Sequence, residues 1–168
     1  FTMRKKSDAD RLKAYLESTK LPAEEQHIVI IGGGLLGLEL AAALKHKKVK
    51  ITIIQRASRL MERQLDRVSS KLLAEEVQLR DIQIYFDNEV STVFETDNSN
   101  ELEIALKSGK IITANAIVYT IGTLPNIEIA KESGLACGRG VKVNQYLQSS
   151  NPSVFAIGEI AEFNNQLF

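Results

Sequence analysis

The sequence predicts an α/β fold: a parallel sheet with flanking helices and an antiparallel three-stranded insert. Three observations carry that expectation. "HIVIIG", "VKITIIQ" and "NAIVYTIG" are continuous apolar runs rich in β-branched residues, the pattern of strands buried on both faces. Between the first two lies "LLGLELAAALKHKK", apolar nearly all round. Strand, helix and strand thus follow within about thirty residues, the length of a βαβ unit, whose crossover should be right-handed. "LEIALK" instead alternates Leu102, Ile104 and Leu106 with Glu103, Ala105 and Lys107, the mark of a half-buried antiparallel strand.

The elements follow in order. "SDADRLKAYLES" spaces Leu12, Tyr15 and Leu16 at three and four residues behind a Ser7 or Asp8 cap and predicts a short amphipathic helix, ended by Leu21-Pro22. Leu65, Val68, Leu72, Leu73 and Val77 mark the apolar face of a second helix, after the strand over 50–55. "IQIYF" gives a third parallel strand over 82–86, and 116–121 a fourth. "VSTVFET", "LEIALK" and "KIIT" form the insert between 89 and 113. Ser108-Gly109 is expected to make a two-residue hairpin because glycine tolerates positive φ, and Asp97 to Asn100 the turn before it. "VKVN" and "SVFAIGE" read as strand-like pieces near the end.

Composition bounds the function. The 21 basic and 21 acidic residues cancel, so no net field draws in nucleic acid or an anionic membrane. The basic cluster "KHKKVK" suits the C-terminal end of a helix dipole. No apolar run reaches the ~18 residues of a membrane span. The one cysteine, Cys137, rules out an internal disulfide or a CxxC redox pair and fits a reducing cytoplasm. His27 and His46 lie at opposite ends of the first strand and helix. No metal site and no catalytic acid, base or nucleophile is therefore expected. The lack of an initiator methionine and the abrupt end at "EFNNQLF" suggest a piece of a longer protein.

Three consecutive glycines join the first strand to the first long helix, and Gly32, Gly34 and Gly37 fit G-x-G-x-x-G. Gly32 permits the tight turn out of the strand, Gly34 lets backbone approach a pyrophosphate, and Gly37 lets the helix lie close. The helix N-terminus then offers unpaired N–H groups and a positive dipole end to phosphates. The pattern reads as the phosphate-binding turn of a Rossmann-like sheet; the alternative is a glycine-rich turn that only joins a strand to a helix. An adenosine ribose belongs at the end of the second strand, usually met there by Asp or Glu. This chain has Gln55, followed by Arg56 and Arg59. Glutamine does not repel a 2′-phosphate and a guanidinium can pair with one. The arginines read equally well as solvated loop charges, so the choice between NADH and NADPH stays open.

Together "IVIIGGGLLGLELA", "IVYTIGTLPN" and "NPSVFAIGE" resemble three ordered motifs of the pyridine nucleotide-disulfide oxidoreductase family, flavoenzymes in which an NAD(P)H-binding domain is inserted into an FAD-binding domain. Within it, "RLMERQLD" and "AIGEIAEF" look like the flavoprotein portion of NAD(P)H-dependent nitrite reductase large subunits; relatives reduce rubredoxin, ferredoxin or oxygen. The resemblance implies that Gly32, Gly34, Leu35, Leu36 and Gly37 surround the pyrophosphate, Gln55 and Arg56 the ribose, and Val90 the adenine. Thr120, Ile121 and Gly122 would lie beside the dinucleotide. Glu39 matches a family glutamate near the nicotinamide and reads equally as a solubilising helix residue. Gly158 and Glu159 match an FAD-contacting motif, with Glu where the wider family mostly has Asp.

The resemblance divides the chain into an N-terminal FAD-domain fragment or linker over 1–24, an NAD(P)H-binding domain over 25–145 and the start of a C-terminal FAD-binding segment over 146–168. The family's first FAD glycine loop, siroheme and iron–sulfur ligands and a redox dithiol are not found in the sequence. The chain would then bind a nicotinamide dinucleotide, pair with the FAD-binding domain of its parent, and deliver hydride to flavin there. A module that senses NAD(H) without turnover is the alternative from another class.

Overall fold

The first strand, β1 (His27–Ile31), is made of β-branched residues, and Ile28, Val29 and Ile30 are completely buried. It belongs to Phe1–Ile121, one of two compact units in a computed structural model that describes residues 1–97 and 100–168. Before β1 comes α1 (Lys6–Ser18); after it come α2 (Leu35–Lys45), β2 (Lys50–Ile54), α3 (Arg67–Leu79) and β3 (Ile82–Tyr85). The antiparallel β4 (Val90–Glu95), β5 (Leu102–Leu106) and β6 (Ile111–Ala114) follow, and β7 (Ala116–Tyr119) returns to the parallel sheet. That sheet has the order β3-β2-β1-β7, with Ile30 opposite Ile53 on one side and Val118 on the other.

Side chains alternate across a strand, so each parallel strand feeds two cores. Ile28, Ile30, Ile51, Ile53 and Val118 face Leu12 and Leu16 of α1, Ala41 and Leu44 of α2 and Val77 of α3. Val29, Ile54 and Ile117 face the other way, onto Ile104, Leu106, Ile112 and Ala114 of the insert. The helices therefore cover one face of the parallel sheet and the antiparallel sheet covers the other. Each of the buried Leu, Ile and Val side chains among them contributes about 1.5–3 kcal/mol of transfer free energy.

Several local expectations are corrected. The N-cap of α1 is Lys5, not Ser7; Asp8 sits in the first turn and reaches back to accept the N–H groups of Arg4 and Lys5 at 2.9 and 3.0 Å. On α3, Val68 and Leu72 are 70% and 61% exposed. The face toward the sheet keeps the expected Leu73 and Val77 and adds Ser70 and Ala74: Ser70 is buried, and its hydroxyl donates to the Leu60 carbonyl at 2.7 Å. Apolar spacing alone missed the serine that sets the helix's rotation. The β5–β6 loop is a turn with Lys107 and Ser108 at its centre, closed by Gly109 N–H to the Leu106 carbonyl. Gly109 follows at φ +85, the three-residue loop with a glycine bulge. The turn expected over Asp97 to Asn100 lies partly outside the described residues.

The second unit, Gly122–Phe168, contains α4 (Glu128–Glu132), β8 (Val141–Lys142), β9 (Ala161–Phe163) and β10 (Gln166–Leu167) in a sheet of order β10-β9-β8. Its core is Ile127, Ala130, Val141, Ala156 and Ala161. "SVFAIGE" is not a regular strand: Phe155 makes one isolated bridge to Gln148, and Gly158–Ile160 is a 3₁₀ turn. The strand starts at Ala161, after glycine at φ +75 has turned the chain.

At the foot of β1, His27 joins the two layers of the first unit. Its ring lies 2.6 Å from the Thr113 carbonyl through Nδ1 and 2.9 Å from Thr52 Oγ1 through Nε2. A carbonyl can only accept, so Nδ1 carries the hydrogen and Nε2 accepts from the threonine hydroxyl. Asn115 completes the junction, taking His27 N–H at 2.7 Å on its side chain and donating its own backbone N–H to His27 O at 2.8 Å. Burial holds the imidazole below its ordinary pKa of 6.5, against the raising effect of the Thr113 carbonyl. As pH falls, the unfolded chain takes up the extra proton first, so stability is full above 6.5 and declines below it toward the folded value. Urea melts at pH 7.5 and 5.5 should show a loss of up to about 1.4 kcal/mol. His27→Gln should remove the histidine's part of that dependence.

Candidate functional site

The C-terminal ends of β1, β2 and β7 carry the glycine turn. Gly32 leaves β1 at φ +113, with its N–H on the Ile54 carbonyl at 2.9 Å. Any side chain there would be strained, and its Cβ would stand 2.7 Å from the Thr120 carbonyl oxygen. At Gly37, in the first turn of α2, a Cβ would lie 2.1 Å from the Gly32 carbonyl oxygen and 2.7 Å from Thr120 Oγ1. The helix can sit this close to the end of β1 only without a side chain. Thr120 secures the contact from the β7 side: its hydroxyl lies 3.0 Å from the Ile31 carbonyl and 3.1 Å from that of Gly32.

Gly34 is different. It is the N-cap of α2, at ordinary φ −86, and nothing lies within 4 Å of where its Cβ would be. No side chain caps this helix end, so its first-turn N–H groups and the positive end of its dipole are left without the partner a capping side chain would supply. Leu35 and Leu36 are exposed at the same end, and Glu39 is exposed one turn further along.

Gln55 follows β2 and is buried. Its Oε1 accepts the Gly33 N–H at 2.7 Å, and its Nε2 donates to the Arg59 carbonyl at 3.1 Å. Both ends of the amide thus engage protein backbone, in a brace between the glycine turn and the loop after β2. Met61 N–H adds a second tie, to the Gly33 carbonyl at 3.0 Å. Gly33 fell outside the motif reading, although a Cβ on it would stand 2.5 Å from Leu60 Cδ2. The run of three glycines was its only trace in the sequence.

Arg56 is exposed and lies 3.9 Å from Glu89, which also pairs with Lys107. The Lys107 hydrogen bond, then its charge and that of Arg56, hold the Glu89 carboxyl below its ordinary pKa. Val90, half-buried, begins β4 beside this cluster. The structure thus brings Gly32, Gly34, Leu35, Leu36, Gly37, Gln55 and Thr120 to one end of the parallel sheet. Ile121, 72% exposed, ends the first unit. Gly122 begins the second at φ +104. There, Gly158 and Glu159 occupy an exposed 3₁₀ turn.

Residues 1–167 match the family described as pyridine nucleotide-disulphide oxidoreductase. Among curated relatives, the chain is 36% identical over 146 residues to the nitrite reductase [NAD(P)H] of Bacillus subtilis (strain 168), covering 86% of this chain. It is 32% identical over 143 residues to the assimilatory nitrate reductase electron transfer subunit of the same organism, covering 85%. The chain spans 18% of the length of each. Among solved structures, the ferredoxin reductase for the CYP199A2 system from Rhodopseudomonas palustris superposes with a TM-score of 0.85 at 25% identity, over 97% of this chain and 39% of that one. The Bacillus anthracis CoADR-RHD matches with a TM-score of 0.83 at 31% identity, over 96% and 28%. The uncapped helix, the glycine turn packed against Thr120 and the match over nearly every residue have one reading: the chain belongs to the pyridine nucleotide-disulphide oxidoreductase family.

Proposed function

We propose that this chain is the NAD(P)H-binding part of a flavin-dependent oxidoreductase, and that the parent is a nitrite reductase large subunit. The observation that carries the reading is the contrast between Gly37 and Gly34. One is a glycine because protein fills the space around it, and the other although nothing does. A glycine with no neighbour at an uncapped helix start fits a place kept for a ligand's closest approach, and the amides there fit a pyrophosphate. The nitrite reductase assignment is supported by 36% identity, while the likeness to a ferredoxin reductase supports the shared fold at 25%.

In this reading residues 25–145 bind the dinucleotide, 1–24 and 146–168 are pieces of the FAD-binding domain, and the protein works in the cytoplasm. Gly32, Gly34, Leu35, Leu36 and Gly37 hold the pyrophosphate through backbone. Gln55 shapes that cradle from beneath and, with Arg56, borders the ribose; Val90 borders the adenine, and Thr120 to Gly122 the dinucleotide's flank. Glu39, one turn into α2, helps orient the nicotinamide. Gly158 and Glu159 offer a positive-φ turn and an exposed carboxylate suited to hydroxyls of FAD. The nicotinamide supplies hydride and the flavin receives it. The protein's part is to bind and aim, which converts the transfer into an encounter between fixed partners.

Calorimetric titration should find binding of NADH or NADPH and none of FAD; tight FAD retention would show the boundaries drawn here to be wrong. Two alanine substitutions separate ligand space from packing. Gly34→Ala should change the melting free energy by no more than about 1 kcal/mol, as a helix N-cap exchange, yet weaken the dinucleotide at least about tenfold, because its methyl enters the open approach. Gly37→Ala should lose about 2–4 kcal/mol of stability, since its methyl overlaps backbone that must move. Equal stability losses in the two variants would remove the distinction on which the reading rests.

A further inference from the structure

Opposite its buried face, α3 presents an apolar stripe to solvent. At about 100° per residue, Val68, Leu72 and Leu79 fall within roughly 40° of one another. They lie on the far side of the helix from Ser70, Leu73, Ala74 and Val77, and Leu79 is 81% exposed. Exposed apolar residues scattered singly are ordinary, whereas several along one line of a helix mark an interaction surface. We propose that this stripe is the contact face of a homodimer, in which α3 packs antiparallel against α3 of a second copy of the chain.

The charges identify the occupant. Arg67 and Lys71 lie in the first half of α3 and Glu75 and Glu76 in the second, with no acidic residue in the first turn of the helix and no basic one in the last. Apart from the Asp66 cap, that order runs against the helix dipole, which favours anions at the N-terminus and cations at the C-terminus. Within the helix, Lys71 meets Glu75 at 3.8 Å and Arg80 meets Glu76 at 2.9 Å, but both pairs are exposed and contribute little.

A second α3 laid antiparallel, about a two-fold axis at mid-helix, reverses both the dipole and the order of charge. Val68 of one copy then comes level with Leu79 of the other, and Lys71 comes beside Glu75. The surface is thus complementary to itself, as a two-fold interface requires. A uniformly acidic or basic partner would match only one half of the helix. Pairing through this face does not depend on the function proposed above.

Size sets the strength. Each helix contributes 13 residues, about 20 Å of length, and a contact between two such helices falls near or under the ~1,200 Å² at which stable interfaces begin. The dimer should therefore be weak and reversible, with a dissociation constant of about 10–300 μM.

The test is sedimentation equilibrium on the unaltered chain and on four variants, from about 5 μM to 1 mM. The unaltered chain should show a reversible monomer–dimer equilibrium. Leu72→Gln should weaken it at least about tenfold, as loss of a central apolar contact does. Lys71→Glu should weaken it at least about threefold, and more at low salt, while Lys71→Glu combined with Glu75→Lys should restore it. Ile111→Thr, at an apolar side chain 60% exposed on β6, should leave it unchanged. The altered side chains are exposed, so melting temperatures should stay within about 3 °C of the unaltered chain and separate lost pairing from lost folding. A monomer up to the highest concentration, or a dimer that Leu72→Gln leaves intact, overturns the proposal. A double variant that pairs no better than Lys71→Glu refutes the antiparallel arrangement. A full-length parent that stays monomeric, with the thiol of Leu72→Cys protected from alkylation, would make another segment of the parent the occupant and refute the second copy.

Discussion

The contact between α2 and the end of β1 is the constraint on which the first unit's glycine turn depends. A hypothetical methyl at residue 37 would stand 2.1 Å from the Gly32 carbonyl oxygen, far inside any tolerable separation. That closeness fixes where the helix axis begins and hence where its free amides point. Thr120 pins the same carbonyl from the opposite side. The end of β1, the start of α2 and, 88 residues further along the chain, Thr120 therefore meet at one peptide group.

A second, softer constraint works through Gln55. A glutamine amide can accept at one end and donate at the other, which is what Gly33 N–H and the Arg59 carbonyl require. A carboxylate could satisfy only the first and would turn a lone pair toward the second. The neutral side chain thus suits a structural task, and the absence of a negative charge at the end of β2 is its electrostatic by-product. The loop it braces also carries Leu60, which packs against Gly33, so the glycine turn and the loop after β2 are set together.

Much of this architecture was legible in the sequence because burial on both faces leaves an unmistakable trace. "HIVII" and "KITII" admit no other reading, and the alternation in "LEIAL" separates the insert from the parallel sheet. Where the sequence misled, a polar residue was performing a buried task. Ser70 turns α3 away from its most apolar stripe, and Asp8 closes the start of α1 from inside the helix rather than from its cap. Gln55 illustrates the same limit at the site. Its position at the end of the second strand could be read from spacing, but its hydrogen bonds to Gly33 and Arg59 depend on two loops meeting in space.

The strand order has a kinetic consequence. β4, β5 and β6 pair with immediate neighbours and can zip together early, whereas β1 must wait for β7, and the hydrogen bond that seals their foot joins residues 88 apart. Closing so large a loop is entropically expensive until both layers are in place. The sheet should therefore be completed late, when the preassembled hairpins swing β7 onto the waiting edge of β1 and create, in the same step, the Thr120 contact with the glycine turn. The sheet and the glycine turn that rests on Thr120 would then be completed together.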